Sequence, residues 1–165
     1  GVRTERSLIQ PDVASIPAGA TISAASLTLT YSLDNSGNAR TMRCHRILRD
    51  TVWNQTTWNI WKTSNNWGTA GCSNATTDYE GGVEIGNVNI PAAPTLNTPV
   101  TMTLSAAEMI KFYNGTYTNN GLVLFVDTQS NDNIGYYSTD SATSSYRPFM
   151  TITYTLARSG FFFLH

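Results

Sequence analysis

The chain has 165 residues and a formal net charge of −1. That length suits one domain with a full core. The near-zero charge excludes the basic footprint of a nucleic-acid or anionic-lipid binder. Charged residues make up 13%, about half the usual share. The difference is filled by 24 Thr, 15 Ser and 15 Asn, which favour strands and turns. A surface wetted by hydroxyls and amides points to an extracellular or virion setting. No apolar run approaches the ~20 residues of a membrane helix, so no membrane insertion is expected. The chain opens at Gly1 without a start Met or a signal-peptide pattern, which leaves a removed leader or an absent upstream part open.

In chain order, Arg6 to Gln10 is a short strand candidate, followed by a turn at Pro11 and Ile16-Pro17-Ala18-Gly19-Ala20. Thr21 to Leu33 contains the clearest pattern. Leu27, Leu29, Tyr31 and Leu33 alternate with Ser26, Thr28, Thr30 and Ser32. A period of two means a sheet with one dry and one wet face, the habit of antiparallel sheets. Ala39 to Arg49 is the next strand, with Met42, Cys44 and Leu48 on one face. Residues 51 to 82 are irregular and hold all four tryptophans; such a stretch carries function or packs as an ordered flap.

Val83 to Ile90 and Val100 to Leu104 read as strands. Ser105 and Glu108 then form a capping box, with Ala106, Met109, Ile110 and Tyr113 along one helical face and Asn114-Gly115 as the stop. Leu122 to Val126 is wholly apolar and reads as a central strand. Ile134 to Ser138 and Phe149 to Leu156 complete a set of about eight strands. The expected fold is an all-β antiparallel jelly-roll sandwich with one short helix. It spans residues 1–157 as one domain, with 158–165 as an apolar tail.

Several segments carry a family resemblance. They are Ser15-Ile16-Pro17-Ala18-Gly19-Ala20-Thr21-Ile22 with the alternating strand after it, Arg46-Ile47-Leu48-Arg49-Asp50, Trp53, and Thr57-Trp58-Asn59. Asn120-Gly121-Leu122 and Arg147-Pro148 before the last strand join them. Together, over most of residues 6 to 156, the chain resembles the DNRLRE, or disaggregatase-related, domains. Those are similar to carbohydrate-binding jelly rolls and occur in secreted bacterial and archaeal proteins and in phage structural proteins. The resemblance implies a non-catalytic module outside the cell or on a virion. Family members carry a further strand before the segment matching Arg6 to Gln10, and Pro11 replaces an expected aromatic residue. An incomplete sheet of that kind offers unpaired backbone to another chain.

Sugar-binding candidates are aromatic faces beside amides. Trp61 and Trp67 lie near Asn65 and Asn66, so they are the expected exposed pair, whereas Trp53 and Trp58 are expected to fill the core edge. Tyr136 and Tyr137 are strand neighbours, so one faces the core and Tyr137 is left for a ligand. Asp127, Asp132 and Asp140 could hold a structural calcium, or could be ordinary solvated turn residues. Cys44 and Cys72 either form a disulfide or remain two thiols. His45, beside Cys44, points to the opposite, wet face, so the two cannot act as nucleophile and base.

Asn54-Gln55-Thr56, Asn74-Ala75-Thr76 and Asn114-Gly115-Thr116 are formal glycosylation sequons, of little weight in so Asn- and Thr-rich a chain. No hydrolase elbow, phosphate loop or His-Glu-x-x-His motif occurs, and no cofactor is expected. Phe161, Phe162, Phe163 and Leu164 form the tail, expected to be buried in the working state, either in a neighbouring subunit or scaffold or back on their own domain.

The leading expectation is a structural and adhesive module on a virion (a phage decoration or fibre protein) or a cell surface. It packs against copies of itself or a scaffold, with a glycan as a further ligand. The alternative is a carbohydrate-binding module serving a secreted polysaccharide-acting enzyme. A small polysaccharide-acting enzyme comes third.

Overall fold

The computed structural model describes residues 5–34, 37–126 and 133–156. The architecture is all-β: one large curled antiparallel sheet around a core, with one α-helix among the described residues. The strands are β1 (Ser7–Ile9), β2 (Ala20–Asp34), β3 (Arg40–Arg46), β4 (Ile60–Lys62), β5 (Asn65–Asn66), β6 (Gly86–Ile90), β7 (Pro99–Leu104), β8 (Leu122–Val126), β9 (Ile134–Tyr136) and β10 (Phe149–Leu156). The main sheet has eight strands in the order β1-β8-β3-β6-β7-β2-β10, with β9 also on β2. A line of cross-strand partners runs Ser7, Leu124, Cys44, Gly86, Leu104, Ala25, Ile152. β4 and β5 form a separate two-stranded ribbon.

Alternation along these strands decides the layers. Leu27, Leu29 and Tyr31 of β2 point inward with Met42, Cys44, Met102, Leu104, Leu122 and Leu124, forming the main core. The helix α1 (Ala106–Tyr113) closes it with Met109 and Phe112. Its buried face is therefore centred on Met109 and Phe112, whereas Tyr113 turns its hydroxyl to the Pro17 carbonyl at 2.6 Å. The capping box is half formed. The Ser105 hydroxyl accepts the Glu108 N–H at 3.3 Å, but the Glu108 carboxylate turns away to Lys111 and the Tyr117 hydroxyl. The Ser105 N–H has a better partner in the Ile85 carbonyl at 2.7 Å.

The apolar run of β8 is buried on both faces. Leu122 and Leu124 enter the main core, while Val123 joins Ile47, Trp67 and Cys72 in a second cluster on the outer side. The segment between β3 and β6 folds over that side and supplies the covering layer. His45 is buried beneath it rather than wet. Its ring stacks on Phe125 with centroids 5.5 Å apart. Its Nδ1 lies 2.9 Å from the Glu80 carbonyl and 3.0 Å from the Val83 carbonyl. Carbonyls only accept, so Nδ1 carries the proton.

Candidate functional site at the open edges of the sheet

Among the described residues the curled sheet does not close. β1 pairs with β8 on one side. β9 and β10 lie on the same side of β2: β9 along Tyr31 to Asp34 and β10 along Ala20 to Thr28. A cleft of about 290 Å³ separates β1 from β9 and the start of β10. Its apolar wall is Leu8, Ile9, Leu29, Leu124, Tyr136 and Pro148; Ser7, Tyr137, Ser138 and Thr139 add hydroxyls. Tyr136 packs on Tyr31 with ring centroids 5.4 Å apart. Burial, and then the Tyr31 phenol, push the Tyr136 pKa upward; burial and then the Asp34 charge do the same for Tyr31. Both phenols stay neutral, so the wall is uncharged.

β10 starts beside the cleft and adds exposed apolar surface along its length. Phe149 is 53% exposed, Tyr154 39% and Leu156 55%. Tyr136 faces the core and Tyr137 does not, as strand alternation requires. Tyr137 stacks on Tyr146 with centroids 4.8 Å apart, and its hydroxyl donates to Asn97 Oδ1 at 2.8 Å.

The tryptophan segment is ordered by Asp78, which is fully buried. Its carboxylate accepts N–H groups of Gly68 at 2.7 Å, Thr69 at 3.0 Å and Asn74 at 3.1 Å. Arg49 Nε adds a fourth contact at 3.4 Å. Burial alone would raise its pKa, but the three N–H groups and Arg49 outweigh that and hold the carboxyl below its ordinary range. Sequence reading did not single out Asp78; its one local signal is an acid closing a Gly-, Thr- and Asn-rich loop.

Trp67 departs from its expected exposure, and Trp53 and Trp58 are more exposed than expected. Trp67 is buried, 5% exposed, and its indole N–H donates to the Thr57 carbonyl at 3.0 Å. It is a core residue of the second cluster and has no free ring face for a sugar. Trp61 is half-buried against the same cluster, with Lys62 Nζ 4.3 Å from the ring centroid. Asn65 donates its amide to the Thr63 carbonyl at 2.9 Å, and Asn66 is exposed. The more exposed rings are Trp58 at 43% and Trp53 at 38%. Each rests on a glycine, Trp58 on Gly71 and Trp53 on Gly121. A large ring can settle there because no Cβ intervenes.

Of the two alternatives for Cys44 and Cys72, the structure has two buried free thiols. Cys44 lies in the main core and Cys72 in the outer cluster, so the sheet separates them. Asp140 is at an exposed turn, and among the described residues no three His, Cys, Asp or Glu side chains converge as a metal site. Asp127, Asp132, Phe161, Phe162, Phe163 and Leu164 lie outside the described residues. No protein-family model matches the chain, and no curated protein matches it.

Proposed function

We infer that the chain is a non-catalytic structural and adhesive module that packs against copies of itself or a larger scaffold. The setting it fits is a virion or cell surface, as the resemblance to DNRLRE domains implies. One observation carries the reading: among the described residues β1 faces β9 and the start of β10 across the cleft as open sheet edges, with Phe149, Tyr154 and Leu156 exposed along β10. Open edges present unpaired N–H and C=O groups and favour pairing with another chain. Light scattering during size-exclusion chromatography tests it. Oligomers are expected across a concentration series, and a monomer throughout, with no scaffold bound, overturns it.

A glycan ligand, either of this module or of a carbohydrate-binding module attached to an enzyme, is the second reading. The half-exposed rings of Trp58 and Trp53, and the Tyr137–Tyr146 stack beside Asn97, favour it. A glycan-array signal lost in Trp58→Ala or Tyr137→Ala would support it; no signal from the parent chain would remove it.

A further inference from the structure

Every neighbouring pair in the main sheet is antiparallel. Following the order β1-β8-β3-β6-β7-β2 and then β9 or β10, strand direction reverses at each step. β1, β9 and β10 therefore all run the same way. The two edges cannot close on each other as an antiparallel pair, but one strand inserted between them would be antiparallel to both. The cleft is suited to such an insertion. Its volume of about 290 Å³ is at the floor of the roughly 300–1,000 Å³ typical of small-molecule pockets. Its wall is uncharged and largely apolar, with hydroxyls from Ser7, Tyr137, Ser138 and Thr139, and it is bounded by backbone edges.

Given the self-assembly proposed above, we propose that the inserted strand is the apolar C-terminal segment, residues 161–165, of a second copy of this chain. Phe161, Phe162, Phe163 and Leu164 are consecutive, so on a strand they split between the core and the outside. The reach of the chain favours a second copy over the segment's own domain. The cleft borders Pro148, just before β10, whereas the chain leaves β10 at Leu156, about 26 Å away at roughly 3.3 Å per residue. A returning tail must first reverse direction. Phe161 and Phe162 would then lie beside the later part of β10, short of the cleft. The same segment from a neighbour has no such constraint, and the exchange can repeat from copy to copy.

Two variants of the full chain test this. Ser7 and Ser138 are exposed and line the cleft, so Ser7→Arg with Ser138→Arg obstructs the slot while leaving the core intact. Phe161→Asp with Phe163→Asp disables the inserting segment. Circular dichroism and melting confirm that each variant is folded. Each alone should be monomeric where the parent chain is oligomeric. Mixed in equal amounts, they should form a one-to-one heterodimer, because one keeps its segment and the other its slot. Hydrogen exchange at Ser7–Ile9 and Ile134–Tyr136 should slow at least tenfold in the mixture. Oligomers persisting in either variant overturn the slot and leave the assembly reading standing, as does a mixture that stays monomeric. A parent chain that is monomeric throughout overturns the slot, and with no scaffold bound it overturns the assembly reading as well.

Discussion

The Asp78 carboxylate accepts the Gly68 N–H at 2.7 Å from a fully buried position. With Thr69, Asn74 and Arg49 also bonded to it, one side chain ties the covering segment together. Replacing it removes the charged acceptor of three backbone N–H groups and Arg49, and a hydrogen bond to a charged group is worth about 1.5–3 kcal/mol. Asp78→Ala should lower stability by about 3–5 kcal/mol, and Asp78→Asn by roughly half of that because one oxygen remains. Urea unfolding read by tryptophan fluorescence measures both. A loss under about 1 kcal/mol in Asp78→Ala would show that the segment is held elsewhere.

The same carboxyl sets an acid limit. Its pKa is lower in the folded chain than in the unfolded one, where it is about 3.9. Its contribution is therefore complete above the unfolded value and is lost as pH falls from there through the folded value. Glu84 and Glu108 are also lowered: burial opposes this, but hydrogen bonds from Asn87 and Arg43, and from Lys111 and Tyr117, prevail. Stability should thus fall steeply below about pH 4. In Asp78→Asn that acid-side slope should be shallower; an unchanged slope would remove Asp78 as a contributor.

Gly71 has φ +79°, and a Cβ there would enter the Trp58 ring. Gly115 has φ +77° with open space around it. Gly115→Ala should cost only the backbone term, about 1 kcal/mol, and Gly71→Ala about 2–3 kcal/mol as the ring is displaced. Equal losses in the two variants would mean that the ring moves aside freely. Gly71→Ala should also alter the native emission spectrum, since Trp58 is displaced.

Burial pushes the Cys44 and Cys72 thiols up to about 12, with the charges of Glu84 and Asp78 adding to it. At pH 8 the thiolate fraction is on the order of one in ten thousand. Native protein should resist thiol reagents, both cysteines should label once unfolded, and a reductant should leave the unfolding midpoint unchanged. A Cys44–Cys72 crosslink in the purified chain would contradict the separation of the two clusters by the sheet.

Strand alternation was legible directly. Ser26 to Leu33, Val100 to Leu104 and Met150 to Leu156 lie in β2, β7 and β10, because a period of two has no other compact solution. The Ser105 cap and the Gly115 stop were legible for the same reason: local backbone chemistry decides them. Which tryptophan is buried was not legible. Trp67 differs from Trp58 through long-range packing against Ile47, Cys72 and Val123, and polar neighbours in sequence do not report that. His45 was misplaced likewise, since alternation gives the face of a strand but not whether a later loop covers it.

Taken alone, the sequence determined an all-β chain with antiparallel strands, one short helix and few charges, because those follow from side-chain period, capping and composition. Only the tertiary structure decided that, among the described residues, the sheet ends in β1 on one side and β9 with β10 on the other, all running in one direction. Strand order comes from contacts far apart in the chain, such as Ser7 with Leu124 and Phe149 with Thr28, and no local pattern encodes them.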